Sequence, residues 1–100
     1  MRLTRMTGAG LTLALTACVA AGAAAPDPAK GKKVFEQCAV CHNVDSPAKK
    51  MGPSLQKLFK RQTEEKVRGQ IDRGGNGMPG YKDILSAEEK NNLIAYLKTI

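Results

Sequence analysis

The sequence predicts an all-α domain of several short helices joined by long loops, and three observations lead to this class. Apolar residues recur with helical spacing in several segments, and residues that cap helix N-termini precede them. Loops rich in glycine, proline and charged residues separate those segments. The signal for strands is weak throughout. Because loops this long are uncommon in a small domain, we expect them to wrap a bound group.

The first 25 residues have the layout of an export signal. Arg2 and Arg5 precede an apolar stretch at residues 9–21, which small residues follow. That stretch is shorter than the roughly 20 apolar residues of a membrane-spanning helix. We therefore expect residues 1–25 to direct export to the periplasm and residues 26–100 to form one domain.

The size of this domain indicates that it needs a covalent staple or a bound group. A core of fewer than about 70–80 residues rarely supplies more than about 3–5 kcal/mol of stability. After the export signal, Cys38 and Cys41 are the only thiols. A disulfide between residues three apart closes too small a loop to restrain the unfolded chain much. We expect these two sulfurs to hold something larger.

The first predicted helix carries one of these cysteines. Asp27 is a good N-cap, and the proline after it suits the first helical position. Apolar residues from Gly31 to Cys38 follow the i, i+3, i+4, i+7 pattern, which predicts one helical face that brings Cys38 to the core. Gly31 should let this helix cross the last helix closely. Residues 43–53 are turn formers and charged residues, which predict a loop.

Three more helices are predicted after this loop. A short helix is expected at residues 54–59. The next begins after Thr63, has acids in its first turn where the helix dipole favours them, and ends at Gly74. Residues 74–80 contain four glycines and a proline, which predict a loop built for close approach. Ser86 starts an S-x-x-E capping box that opens the last helix.

Residues 38–42 read C-A-V-C-H and allow three kinds of chemistry. A structural zinc site needs four ligands, and two cysteines and one histidine are too few. A thiol–disulfide oxidoreductase is a remote alternative, because such enzymes need strands beside the helix that carries their cysteines. Haem uses the whole motif, since two thiols one helical turn apart can add to its vinyl groups and the imidazole can bind its iron.

Four segments in this order resemble a small class I cytochrome c, and the similarity spans about residues 28 to 100. They are Cys38-Ala39-Val40-Cys41-His42, Gly52-Pro53-Ser54-Leu55, Gly77-Met78-Pro79 and the final helix Leu93-Ile94-Ala95-Tyr96-Leu97-Lys98. The resemblance implies an all-α fold of short helices and long loops around one covalently bound haem c. It also implies a periplasmic single-electron carrier of a respiratory chain, which is not an enzyme.

The resemblance also implies roles for five residues. Cys38 and Cys41 would form thioether links, and His42 would bind the iron on the proximal side. The backbone carbonyl of Pro53 would orient the His42 ring. Met78 would be the distal ligand, because the glycines before it allow close approach to a flat partner. If Met78 does not bind, the alternative is a sensor with open or weakly ligated iron.

The remaining expectations concern partners. The chain has 16 Lys and Arg against 9 Asp and Glu, a net charge of +7, and loss of the two arginines in the export signal leaves +5. This favours redox partners with acidic docking surfaces. The few aromatics are not interleaved with the basic residues, so nucleic acid is not an expected partner. Leu15-Thr16-Ala17-Cys18 resembles a lipobox, which leaves membrane attachment through lipidated Cys18 as an alternative to cleavage after Ala23.

Overall fold

The computed structural model describes residues 25–100 together with Gly8 and Gly10, and this part of the chain contains α-helices but no β-strand. The helices are α1 (Pro28–Phe35), α2 (Leu58–Arg61), α3 (Glu64–Arg73) and α4 (Ala87–Leu97). The predicted all-α class is confirmed. No helix within the described residues is both long and apolar enough to cross a membrane. Cys18 lies outside the described residues, and the domain boundary stays a prediction.

Helix α1 begins as predicted but ends earlier than predicted. The Asp27 side chain accepts a hydrogen bond of 2.8 Å from the Ala29 N–H, which makes Asp27 the N-cap. The α-helix ends at Phe35, and the prediction that it reaches Cys38 is wrong. The Cys38 N–H donates to the Phe35 carbonyl (2.7 Å), an i→i−3 bond that tightens the chain into consecutive turns. Cys38 still packs against the core, half-buried.

Helices α1 and α4 cross at Gly31. A Cβ at this buried position would overlap the backbone carbonyl of Asn92, so only glycine allows the approach. One turn later, the Phe35 and Tyr96 rings pack with centroids 5.4 Å apart. The buried Asn92 side chain accepts a hydrogen bond of 2.8 Å from the Asp27 N–H, which fixes the start of α1 on α4. The predicted crossing is confirmed, whereas the role of Asn92 was not predicted.

The apolar core joins these two helices to α2 and α3. Its eight buried side chains come from all four helices and from the segment before α4: Phe35, Leu58, Val67, Ile71, Leu85, Leu93, Ile94 and Leu97. Three ion pairs or hydrogen bonds at the surface also connect α3 to α4. They join Asp72 to Lys90 (2.7 Å), Glu64 to Lys98 (2.5 Å) and Arg68 to Asn91 (3.0 Å).

The short helix predicted at residues 54–59 begins later, at Leu58, because the preceding residues form a turn. The Ser54 hydroxyl accepts from the Gln56 N–H (3.2 Å), and a serine that bonds nearby backbone in this way competes with helix formation. Lys57 then takes the left-handed conformation, with φ 56°. The chain enters α2 only after this turn.

The predicted ends of the last two helices are confirmed. Thr63 caps α3 through a hydrogen bond from the Lys66 N–H, and Gly74 follows the last residue of α3 with φ 64°. Ser86 and Glu89 form the reciprocal bonds of the capping box at the start of α4. These caps place residues 74–85 as the connection between α3 and α4.

Candidate functional site

The C-A-V-C-H motif lies in the turns that continue from α1. The Cys38 carbonyl accepts hydrogen bonds from the N–H groups of Cys41 (3.1 Å) and His42 (3.0 Å). This local hydrogen bonding holds the two cysteines and the histidine in one compact helical turn. Both thiols are free and half-buried, and the His42 side chain is half-buried as well. Burial, and then the neighbouring Cys41, raises the pKa of the Cys38 thiol.

The loop after the motif folds back onto it. The Gly52 N–H donates to the Cys41 carbonyl (2.8 Å), and the Leu55 N–H donates to the Asn43 carbonyl (2.8 Å). Two backbone bonds therefore place residues 52–55 beside residues 41–43. The predicted loop is confirmed, and its return is what brings Pro53 to the histidine.

The His42 ring is oriented by this returning segment. Its Nδ1 lies 2.7 Å from the Pro53 carbonyl oxygen, so a proton on Nδ1 makes a short hydrogen bond. Gly52 lies against the same ring, because a Cβ at Gly52 would come within 2.5 Å of His42 Cε1. The ring is thus held in the tautomer that leaves Nε2 as the nitrogen with a lone pair to offer. The sequence singled out Pro53 for this contact, but not Gly52.

Met78 is presented by a tight hairpin turn between α3 and α4. Gly75 and Met78 exchange two backbone hydrogen bonds, of 2.9 Å and 3.0 Å, across Asn76 and Gly77. Asn76 and Gly77 both have positive φ, 53° and 87°, as a two-residue turn of type I′ requires. The glycine-rich loop is therefore an ordered turn, which the composition alone did not predict.

The two methionines within residues 25–100 differ in their surroundings. Met78 is half-buried, and its sulfur lies 3.9 Å from Gln70 Nε2, which also donates to the Gly74 carbonyl (3.0 Å). Met51 is 84% exposed. Gln70 was missed in the sequence, although its place one turn before the end of α3 puts it beside the loop that follows.

Tyr81 fixes the chain after Met78 to α3 and to the apolar core. Its backbone N–H donates to the Ile71 carbonyl (2.8 Å), which directs the chain after Met78 back along α3. Burial, and then the charges of Cys38 and Cys41, raises the pKa of the Tyr81 phenol. Tyr81 and Cys38 both pack, partly buried, against the apolar core. Sequence reasoning assigned no position to Tyr81, because nothing in its local pattern pairs it with residues forty positions earlier.

These donors fit a covalently bound haem. Two free, half-buried thiols stand one helical turn apart, and the adjacent imidazole has one nitrogen committed to a backbone carbonyl. A thioether sulfur on a separate turn offers a second, soft ligand for iron. The structure ties Cys38, Cys41, His42 and Pro53 together by direct contacts. Met78 has no hydrogen bond to this group among the described residues.

Comparison with known proteins gives a consistent result. The family model described as cytochrome c oxidase, cbb3-type, subunit III matches residues 26–97. Cytochrome c2 of Blastochloris viridis is 37% identical in an alignment that covers 86% of this chain and 87% of that protein. Cytochrome c6 of Thermosynechococcus vestitus is 30% identical, over 87% of this chain and 82% of that protein.

A solved structure agrees with these relatives. Cytochrome c6 from the diatom Phaeodactylum tricornutum superposes with a TM-score of 0.59 at 30% identity, covering 73% of this chain and 92% of that one. Fold and motif together define a haem protein of the cytochrome c type. The chain belongs to the small class I c-type cytochromes. It is an electron-transfer protein with one covalently bound haem c, and it exchanges electrons with redox partner proteins.

Proposed function

We propose that this cytochrome carries single electrons outside the cytoplasm with a haem iron bound by His42 and Met78. Cys38 and Cys41 would hold the haem through thioether links, and Pro53 would fix the proximal ligand. When bound, the haem supplies the reversible one-electron change between ferrous and ferric iron. If His42 and Met78 both bind, the iron would have no free position for a substrate, which agrees with electron transfer rather than catalysis.

The observation that carries the proposal is the 2.7 Å contact between His42 Nδ1 and the Pro53 carbonyl. Because this contact commits Nδ1, only Nε2 can serve as the ligand nitrogen. A backbone acceptor also raises the basicity of the ring and holds its plane constant. Constant geometry suits a carrier, since little rearrangement then accompanies each electron.

Three features support Met78 over Met51 as the second ligand. The type I′ turn holds the Met78 backbone in one conformation, whereas Met51 is 84% exposed. Gln70 contacts the Met78 sulfur and limits its orientation. Tyr81, three residues later, packs against the same apolar core as Cys38. A thioether ligand favours ferrous iron, so we expect a reduction potential in the upper part of the range of c-type haems.

An absorption spectrum tests the proposal directly. After denaturing extraction the haem should stay with the chain, because thioether bonds survive unfolding. The native ferrous protein should not bind carbon monoxide if His42 and Met78 both ligate. Ready binding of carbon monoxide by the wild type would instead support the sensor with an open iron.

We propose that the redox partner proteins dock through acidic surfaces. The exposed lysines and arginines include three on α1 and several in the loop and helix that follow, and the net charge after the export signal is +5. Opposite charge speeds encounter more than it tightens binding. Electron-transfer rates with an acidic partner should therefore fall as ionic strength rises. Rates that do not depend on salt would assign these residues to solubility alone.

We propose two alternatives for the exported protein: a free periplasmic carrier and a carrier tethered to the membrane. A periplasmic carrier would follow cleavage after Ala23, and a tethered carrier would follow acylation of Cys18. Two or three acyl chains would make that tether stable. Intact-mass analysis of the exported protein distinguishes them. A chain that begins at Ala24 with haem and no lipid excludes the tether, whereas a Cys18 start with added acyl mass establishes it.

A further inference from the structure

The loop after the motif is held to it by a side chain as well as by its backbone. Lys50 Nζ donates to the Ala39 carbonyl at 3.1 Å, and the Gly52 N–H donates to the Cys41 carbonyl at 2.8 Å. Between these two anchors, the Lys50 N–H donates to the Gly52 carbonyl (3.2 Å), which closes a tight turn. This turn leads directly into Pro53.

Lys50 is the hydrogen-bond partner of the Ala39 carbonyl within residues 25–100. No backbone N–H of the described residues donates to it, whereas the Cys38 carbonyl accepts two. The last carbonyls of a helical turn favour a nearby cation, and a hydrogen bond from an ammonium group is stronger than one between neutral groups. Lys50 therefore caps the turn that carries both cysteines.

We propose that Lys50 is a positioning residue for the proximal histidine, a role that rests on the proposed ligation by His42. By binding the Ala39 carbonyl, Lys50 holds Gly52 and Pro53 against the motif. This keeps the Pro53 carbonyl on His42 Nδ1, which orients the ring and increases donation from its other nitrogen. Lys50 thereby adjusts the reduction potential without contacting the iron ligand.

Replacement of Lys50 by a neutral residue has two opposing effects on the reduction potential. Loss of a nearby cation stabilises the oxidised, more positive state and lowers the potential. Loss of the constraint on His42 weakens its donation to iron, which destabilises the oxidised state and raises the potential. Lys49 gives a matched control, because it is exposed in the same loop and its Nζ makes no hydrogen bond within residues 25–100.

The experiment compares the holoproteins Lys50→Gln, Lys49→Gln and Lys50→Arg at low and high salt. It measures the reduction potential and, by NMR of the reduced protein, the hydrogen exchange of His42 Nδ1–H. In Lys50→Gln we expect this exchange to be about 2- to 10-fold faster than in the wild type, as the loss of one hydrogen bond allows. Its potential should lie above that of Lys49→Gln.

Two further comparisons, at high salt and with Lys50→Arg, separate the loss of the charge from the loss of the hydrogen bond. The potential change in Lys49→Gln should shrink at high salt, where exposed charges are screened. The potential of Lys50→Gln should still lie above that of Lys49→Gln, because the loosened His42 ring does not depend on salt. Lys50→Arg should restore both readouts, because a guanidinium can donate the same bond. Equal potentials and equal exchange rates in Lys50→Gln and Lys49→Gln would overturn the role of Lys50 and leave it a surface charge.

A separate signal shows whether the proposed function itself holds. In the reduced holoprotein, a histidine bound to haem iron has ring protons with large ring-current shifts. Their absence from His42 would overturn both proposals at once. Their presence, with equal exchange rates in the two glutamine variants, would overturn only the positioning role.

Discussion

The segments that carry the two proposed iron ligands are built in different ways. The proximal segment, residues 38–55, is one stretch of chain that folds back on itself through backbone bonds and the side chain of Lys50. The distal segment, residues 74–81, is a hairpin turn whose outward connections run to α3, through Gln70 and the Ile71 carbonyl. The position of His42 is therefore set locally, whereas that of Met78 depends on how α3 packs.

Because of this difference, the two segments should respond to different substitutions. Changes within residues 38–55 should affect haem attachment and the proximal ligand even when the helices are intact. Changes in α3, or in its contacts with α4, should reach Met78 first, because Met78 is held by that helix. A thioether is also a weaker ligand than an imidazole, so the distal side should open before the proximal side under stress.

The largest effect is expected from loss of both thiols. Cys38→Ala combined with Cys41→Ala should leave little folded, haem-bound protein in an export-competent host, because so small a core needs its bound group. Haem staining after denaturing electrophoresis and circular dichroism measure the outcome. Recovery of a stable, helical protein without haem in good yield would contradict this prediction.

The second largest effect is expected from replacement of Met78, with Met51 as the comparison. Met78→Ala should let ferrous iron bind carbon monoxide, remove the sulfur–iron charge-transfer band of the ferric form and change the potential. Met51→Ala is the matched control and should leave all three unchanged, since the Met51 side chain is 84% exposed. The reverse pattern would transfer the distal role to Met51.

Sequence reasoning succeeded where a role depends on neighbours in the chain. The capping residues Asp27, Thr63 and Ser86 act within a few positions, and the helix starts that they predict are confirmed. It failed where a nearby side chain competes with helix formation. The Ser54 hydroxyl accepts a hydrogen bond from the Gln56 N–H, and α2 begins only at Leu58. It could not find contacts such as Lys50 with Ala39, because an exposed lysine carries no pattern that names its partner.

Two glycines allow a direct comparison of the proximal and distal segments. Gly52→Ala places a methyl group 2.5 Å from His42 Cε1, so we expect a loss of about 1–3 kcal/mol, as for overpacking, with the His42–Pro53 bond disturbed. Gly77→Ala meets no atom within 4 Å but requires φ 87° of an L-residue, which costs about 1–2 kcal/mol.

Thermal unfolding measures both losses, and NMR shows where each one acts. Gly52→Ala should shift the His42 signals, whereas Gly77→Ala should shift those of Met78. Disturbance of Met78 alone by Gly52→Ala would contradict the local construction of the proximal segment.

A smaller effect is expected at Gln70. Its amide donates toward the Met78 sulfur at 3.9 Å, which withdraws electron density from the ligand and disfavours ferric iron. Gln70→Leu should therefore lower the reduction potential by about 20–60 mV, the equivalent of one modest hydrogen bond for a one-electron couple. Voltammetry measures this shift. An unchanged potential with Met78 still bound would show that the contact has no influence on the iron.

The smallest effect concerns the ion pairs between α3 and α4. The hydrogen bond from Lys98 is the main cause that lowers the pKa of Glu64 below 4.5, and Arg68 adds to it. Because the folded pKa is depressed, this stabilisation is fully present above about pH 4.5 and is lost as the pH falls through the folded pKa. Glu64→Gln should therefore unfold less steeply with acid than the wild type does. Glu65→Gln, in the same turn but without an ion pair in the described chain, should leave the acid dependence unchanged.

The same variant tests the dependence of Met78 on α3. In Glu64→Gln, release of the start of α3 from α4 should make the sulfur–iron charge-transfer band disappear at a lower temperature, while the His42 signals stay at their wild-type positions. The Glu64 side chain is 43% exposed, so added salt should shrink the difference between variant and wild type. If His42 and Met78 are released together in every variant, the two segments form one cooperative unit, and the contrast between local and helix-dependent construction has no energetic consequence.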